Sequence, residues 1–227
     1  KDGKDYIKEK LEKEGKKIGF LKQGKTATLK HLFTEEGNYE VKVESIDSAG
    51  NKAESENIRF VIDKEAPTVE FFNEVDSETK LINENVYNID KVKVKVSDKN
   101  LDDNNIRFDV KKYLNDSDTV EVDYKNEAGE KLGFKDGEVI IPFNEDGIYE
   151  IQVSGNDQSG NAIAENDSKI KFTIDKEAPT VEFFDEEDSG TKLISENVYN
   201  MDKVKVKVED KALDYGSLSF KVKKYLN

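Results

Sequence analysis

The chain has 227 residues, of which 35% are hydrophobic and 38% are charged, and its formal net charge is −14 at pH 7. This composition is typical of a folded protein with a thin core and a highly charged surface. The negative charge opposes a phosphate backbone, so nucleic acid is excluded as an expected partner. The absence of cysteine rules out disulfides and thiolate metal sites, and no apolar run is long enough to predict a membrane span.

An internal repeat organises the sequence. The segment IDKEAPTVEFF at 62–72 returns letter for letter at 174–184, an offset of 112 residues, and 41 of 54 positions from there onwards are identical. Residues 33–51 match 143–161 more loosely, at an offset of 110. This repeat length is about the number of residues in one small β-sandwich domain. We therefore predict a tandem array, in which neighbouring copies of the repeat are the main partners.

The repeated Asp-Lys-Glu-Ala-Pro segments are predicted to be the junctions. Pro67 and Pro179 hold the preceding residue extended, which gives each junction a short and stiff character. This frame predicts the C-terminal part of a repeat at 1–63, a complete repeat at 64–175 and the N-terminal part of a further repeat at 176–227. A frame of 1–115 and 116–227 is the alternative.

Short alternating segments predict seven strands in the complete repeat. In Lys91 to Val96 the lysines lie on one face and the valines on the other, which indicates a solvated face and a buried face. Helix is plausible only at Tyr6 to Lys16. Seven strands separated by turns predict an all-β, Greek-key sandwich. The predicted strands are 68–72, 92–96, 106–110, 120–124, 138–143, 149–153 and 169–174.

Two tyrosines open alternating strands. Tyr39 and Tyr149 each follow a glycine by two residues, as a tyrosine corner requires: the ring packs inward and the hydroxyl bonds to upstream backbone. In antibody domains the residue two places later is a cysteine. Here it is Val41 or Ile151, so apolar packing is expected to replace the disulfide.

The string from Tyr149 to Pro179 resembles the bacterial Ig-like repeats of large surface proteins and adhesins, especially those of Gram-positive bacteria. It carries a strand, an Asp-x-x-Gly-Asn turn, a second strand and the Ile-Asp-Lys-Glu-Ala-Pro exit. The resemblance covers residue 33 onwards and implies tandem immunoglobulin-like sandwiches at the cell surface or cell wall. Such repeats act as stalks, as adhesive or calcium-rigidified modules, or as accessory modules of secreted glycan enzymes.

Carboxylates near the junctions are candidate calcium ligands, because a junction gathers loops from two modules and Ca²⁺ prefers oxygen. The Asp-x-x-Gly-Asn turns at Asp47 and Asp157 offer oxygens too, but the same residues also close a tight hairpin without a metal. Solvated surplus carboxylates are the competing interpretation throughout. The candidates are Asp63, Glu65, Asp98, Asp175, Glu177 and Asp210.

No enzyme is predicted. His31 is the single histidine, and neither a cysteine nor a fixed serine accompanies it, so a nucleophilic triad has no basis. Tryptophan is absent, which argues against a sugar-stacking platform, and the tyrosines are expected to be core or cover residues. A lysine-to-asparagine isopeptide bond remains an open alternative, since lysine and asparagine are plentiful.

The predicted function is that of a non-enzymatic structural repeat in an extracellular stalk or filament. Two incomplete repeats leave apolar faces uncovered, which predicts head-to-tail completion between copies by donated strands. The alternative is an adhesin whose divergent loops bind a host protein or glycan. The most divergent short stretch is Asp103 to Arg107 against Tyr215 to Ser219.

Overall fold

The computed structural model describes residues 28–74, 79–186 and 190–225, together with the backbone of residues 12–13, 16–17, 21–23 and 26–27. Within these ranges the chain forms β-strands and three short 3₁₀ helices, at Asp103–Asn105, Glu165–Asp167 and Tyr215–Ser217, and no α-helix. None of these residues belongs to a helix with the length and hydrophobicity of a membrane span. The chain divides into two compact units, unit 1 (Lys1–Asp63) and unit 2 (Lys64–Asn227).

Unit 1 is built from antiparallel pairs. The position of the possible helix at Tyr6 to Lys16 lies largely outside the described residues, and its described part is strand. A tight turn at Asp47 closes the hairpin between the strands Glu44–Ile46 and Lys52–Glu54. The pairs are β1 (Glu12–Lys13) with β2 (Lys16–Lys17), β3 (Leu21–Gln23) with β4 (Thr26–Thr28), β5 (Gly37–Val41) with β8 (Ile58–Ile62), and β6 (Glu44–Ile46) with β7 (Lys52–Glu54).

In unit 2, residues 64–175 form a two-layer sandwich. Its strands are β9 (Thr68–Asn73), β10 (Val86–Tyr87), β11 (Lys91–Ser97), β12 (Ile106–Tyr113), β13 (Thr119–Glu121), β14 (Glu138–Pro142), β15 (Gly147–Gly155) and β16 (Lys169–Ile174). One layer has three antiparallel strands in the order β14-β11-β9, and the other has five strands in the order β10-β16-β15-β12-β13. Only the β10–β16 pair in these layers is parallel.

The core lies between the two layers and follows the alternation in the sequence. On β11 the three valines are 0–3% exposed, whereas the lysines between them are exposed or half-buried. Burying one such side chain contributes about 1.5–3 kcal/mol, so the alternation fixes which face of each strand points inward. Other core residues include Phe71, Phe108, Val110, Val139, Ile141, Phe143, Tyr149, Ile151, Val153, Ile170, Phe172 and Ile174.

The predicted all-β Ig-like sandwich is confirmed, with two local differences. The sequence did not predict β10, because two residues are too few to show an alternation and the strand exists only through its pairing with β16. The strand expected at Val120 to Tyr124 ends at Glu121. The buried charged side chains in the described ranges are those of Glu150 and Asp157, so no described lysine is buried as an isopeptide bond would require.

The third repeat begins in the same way as the second. β17 (Thr180–Asp185) and β18 (Val204–Glu209) form an antiparallel pair in which Thr180 lies opposite Glu209. This register is the one that β9 and β11 adopt, where Thr68 lies opposite Ser97. The two repeats therefore start with the same local geometry.

Candidate functional site

The junction at Asp175-Lys176-Glu177 is fastened to the residues on both sides of it. The Lys176 ammonium donates to Asp90 Oδ1 at 2.5 Å and to the Phe143 carbonyl at 2.7 Å, both in the preceding sandwich. Glu177 Oε2 accepts from the Lys211 ammonium at 3.0 Å, in the following repeat. Lys176 therefore contacts residues earlier in the chain, and Glu177 contacts a residue later in the chain.

The forward contact occurs at both junctions. Glu65 Oε2 accepts from Lys99 Nζ at 2.6 Å, and Lys99 is the counterpart of Lys211. Hydrogen bonding to Glu177 raises the pKa of Lys211 above its ordinary value, so this lysine carries its positive charge at neutral pH. All four side chains are 60–72% exposed, and exposed ion pairs contribute little stability because solvent screens the charges. The pairs therefore add little to the stability of the folded chain.

The predicted calcium candidates are mostly engaged in local contacts. The two glutamates accept from the lysines just described. Three aspartates each accept, through Oδ1, a hydrogen bond from the backbone amide two residues later, which is the geometry of an Asx turn. These bonds are Asp98 with Asn100 at 2.6 Å, Asp175 with Glu177 at 3.2 Å and Asp210 with Ala212 at 2.7 Å. Asp63 is half-buried at the end of unit 1.

Within unit 2, the predicted calcium ligand Asp98 lies beside the carboxylate of Asp157, which belongs to another loop. A carboxylate oxygen of Asp98 lies within 4.8 Å of one from Asp157. Two carboxylates alone are too few for Ca²⁺, which takes six to eight oxygen ligands. Calcium binding stays a prediction of the sequence. A melting midpoint that rises in calcium and returns in chelator would support it, and an unchanged midpoint would remove it.

Asp157 closes the hairpin after β15. Its Oδ1 accepts from the amides of Ser159 at 2.8 Å and Asn161 at 2.9 Å, and its Oδ2 accepts from the Asn161 side chain at 2.8 Å. Burial raises the pKa of this carboxyl, but the hydrogen bonds from Asn161 and Ser159 outweigh burial and hold the pKa below its ordinary 3.8. Asp47 makes the same three kinds of bond in unit 1.

The structural residues named from the sequence lie beside the junctions. Tyr149 donates from its hydroxyl to the Glu145 carbonyl at 3.0 Å, and Tyr39 donates to the Glu35 carbonyl at 2.9 Å. The Tyr149 ring is buried between the sandwich layers, and the Tyr39 ring is half-buried. Pro67 is buried and Pro179 is exposed.

Sequence reasoning missed Lys99, Lys176 and Lys211. A glutamate followed by a lysine 34 positions later occurs in both copies of the 112-residue repeat, and this signal could have identified Lys99 and Lys211.

A family model for the bacterial Ig-like domain (group 3) matches residues 25–169, which is more than half of the chain. The chain belongs to this family. A search among curated proteins gave no match. Bacterial Ig-like domains are generally non-catalytic modules of a structural or adhesive kind and are typically extracellular. The narrower Gram-positive assignment stays a prediction.

In this bacterial Ig-like chain the divergent loop borders an open hollow in the complete repeat and in the third repeat. Asp103 and Asn104 line a hollow of about 550 Å³ in the complete repeat. Tyr215, which is 80% exposed, lines one of about 440 Å³ in the third repeat. Exposed tyrosine is a common contact residue in protein interfaces. The loop therefore presents different chemistry at the same position of two similar modules.

Asp157 makes the stability of the sandwich depend on pH. Because its folded pKa lies below the unfolded value, its contribution is fully present above pH 3.8 and is lost as the pH falls through the folded pKa. We expect Asp157→Asn to lower the free energy of unfolding at pH 7, and this deficit to shrink as the pH falls below 3.8 and through the folded pKa. Urea unfolding at several pH values measures it. A deficit that is constant with pH would contradict the charged-turn interpretation, and Asp109→Asn, at an exposed site on β12, is the control.

Proposed function

We propose that this chain is a non-enzymatic structural segment of an extracellular stalk or filament on a bacterial surface. The observation that carries the proposal is the two-sided fastening of the junction. Lys176 is bound to the sandwich before it, and Glu177 is bound to the repeat after it. Contacts on both sides favour one orientation of the two modules, while the covalent chain carries a load through the junction.

The strand arrangement of residues 64–175 suits this mechanical role. The chain enters along β9, whose first residue Thr68 lies opposite Ser97, next to the Asp98 and Asp157 loops that follow β11 and β15. It leaves along β16, whose last residue Ile174 lies opposite Gly147 at the start of β15. A nine-residue strand such as β15 is about 30 Å long. The chain therefore enters at one end of the sandwich and leaves at the other, as a load-bearing module requires.

The fixed junction can be tested by pulsed electron spin resonance, since the chain has no native cysteine to interfere. Spin labels at Glu121→Cys on β13 and Lys205→Cys on β18 occupy exposed sites before and after the junction. We expect one narrow distance distribution. The double variant Lys176→Ala with Glu177→Ala should broaden it, because both fastening contacts are lost.

The matched control is Lys95→Ala, which removes an exposed lysine from β11 and should leave the distribution narrow. A distribution that is already broad in the unmodified junction would contradict a rigid stalk segment. The proposal is also contradicted if the distance distribution of the double variant is as narrow as that of the parent, because the two contacts would then not set the orientation.

The second candidate function is an adhesin module, favoured by the exposed Tyr215 in the divergent loop. Under that proposal a host protein or glycan binds this loop. Replacing Tyr215 to Ser219 by the residues of Asp103 to Arg107 separates the two functions. The exchange should abolish attachment of bacteria to host material if the module is an adhesin, and should leave attachment unchanged if it is a stalk.

A further inference from the structure

A tight turn at Asp136-Gly137 leads into β14 of the complete repeat. On either side of it, Lys135 and Glu138 exchange two backbone hydrogen bonds, at 2.9 and 3.0 Å. Asp136 has φ +53° and Gly137 has φ +76°, and two successive residues with positive φ are typical of a type I′ hairpin turn. The Gly137 carbonyl accepts from the Val96 amide at 2.7 Å, so the turn is also bound to β11.

An Asp-Gly step is chemically labile, because glycine has no side chain to hinder its amide nitrogen. That nitrogen can attack the side-chain Cγ of the neutral aspartic acid. A nitrogen–carbon bond forms, and the hydroxyl group leaves with the amide proton as water. Water then adds to the backbone carbonyl of the resulting five-membered imide and breaks its bond to the nitrogen. The product is isoaspartate, whose main chain runs through the side-chain carbons and is longer by one atom.

The two reacting groups of this step are in different situations. The Asp136 carboxylate is exposed and makes no hydrogen bond or ion pair with the described residues. The Gly137 amide is buried and donates to Asp103 Oδ1 at 2.9 Å. The electrophile is therefore free, whereas the nucleophile is held by a carboxylate from another loop.

A second Asp-Gly step within the described residues is restrained at the opposite group. At Asp146-Gly147 the carboxylate itself is held, because Asp146 Oδ1 accepts from the backbone amide of Lys176 at 3.1 Å. Each of the two steps thus has one reacting group fixed by a residue that is distant in the sequence.

We propose that Asp136 is a site of spontaneous isoaspartate formation and that Asp103 suppresses the reaction by holding the Gly137 amide. The hydrogen bond resists the rotation that turns the nitrogen towards Cγ of Asp136. A longer main chain has no room here, since a Cβ built at Gly137 would already lie 2.5 Å from the Val96 carbonyl oxygen. Asp103 is the first residue of the divergent loop, so this loop protects the hairpin of its own module. The inference is independent of the stalk proposal.

Warm incubation of the whole chain for several weeks at mildly acidic pH tests the proposal. Peptide mapping with electron-transfer dissociation then locates and quantifies isoaspartate. We expect slow formation at Asp136 in the parent and a several-fold faster formation in Asp103→Ala, because the amide is released. Asp103→Asn should stay close to the parent, since its side-chain oxygen can still accept the bond.

Asp146 is the internal reference. Unfolding of the whole sandwich releases both Asp-Gly steps, whereas loss of the Asp103 bond should accelerate the reaction at Asp136 alone. Asp109→Ala removes a carboxylate from an exposed site on β12 and should leave the rate at Asp136 unchanged.

Several outcomes overturn the proposal. One is a parent chain that forms isoaspartate at Asp136 as fast as the same chain unfolded in urea. Others are an Asp103→Ala rate equal to or below that of the parent, an Asp103→Asn rate equal to that of Asp103→Ala, and equal acceleration at Asp146.

A faster readout follows the same attack on an amide. In Asp136→Asn the Gly137 nitrogen expels ammonia instead of water, and hydrolysis of the imide leaves an acid, so intact mass reports the reaction. Asparagine also tolerates positive φ, so the turn is retained. We expect Asp136→Asn to lose ammonia several-fold faster when it is combined with Asp103→Ala, and equal rates in the two backgrounds would overturn the role of Asp103.

Discussion

We expect Ile141→Ala to lower the free energy of unfolding of the sandwich by about 2–5 kcal/mol, the usual cost of removing a buried isoleucine side chain. Ile141 is 0% exposed and lies on β14 between the two layers. The loss combines the transfer of apolar groups with the cavity that the surrounding side chains cannot fill. Urea or guanidinium unfolding, followed by circular dichroism, measures it.

The matched control is its neighbour. Ile140→Ala removes the same atoms from the opposite face of β14, where the side chain is 42% exposed, and should cost about 1 kcal/mol or less. The pair isolates burial, since strand, residue type and substitution are the same. Similar losses in the two variants would mean that the inner face of β14 is wrongly assigned.

We also expect Gly137→Ala to be strongly destabilising. Gly137 has φ +76°, where an alanine is strained, and a Cβ built there would lie 2.5 Å from the Val96 carbonyl oxygen. That oxygen belongs to β11, whose Val96 amide donates to the Gly137 carbonyl at 2.7 Å. The backbone cannot move aside without weakening this bond. Strain and overpacking together should cost about 2–4 kcal/mol.

Gly129→Ala is the control for that substitution. Gly129 has φ +81°, so its conformational strain is nearly the same, but no atom lies within 4 Å of its Cβ position. It should cost only about 1–2 kcal/mol. The difference between the two variants measures the contacts with the Val96 carbonyl and the Leu101 side chain. Equal costs in denaturant unfolding would show that these groups do not approach Gly137 as closely as described.

Much of the sandwich could be predicted because its signals are local. The valine and lysine alternation of β11 defines an inner and an outer face within seven residues. The Tyr149 hydroxyl bond spans four residues, and the Asp157 turn spans the same distance. Features of this kind depend on neighbours along the chain, so the residues themselves carry the information.

The junction could be located from the sequence, but its contacts could not. The sequence predicts Glu65 as a possible calcium ligand, whereas in the structure it binds Lys99, 34 residues away. Lys176 reaches the Phe143 carbonyl across 33 residues. On an acidic chain rich in lysine, many such pairs are equally plausible, and only the folded arrangement of loops selects among them.

The sequence by itself determined the repeat, the strand class and the inward face of each strand, because alternation and turn residues act through local sterics and burial. Tertiary structure decided what those strands become. Val86–Tyr87 is a strand only because β16 lies beside it. A segment of two residues cannot form a sheet by itself, since a sheet needs a partner's hydrogen bonds and a second layer, and neither is encoded within the segment.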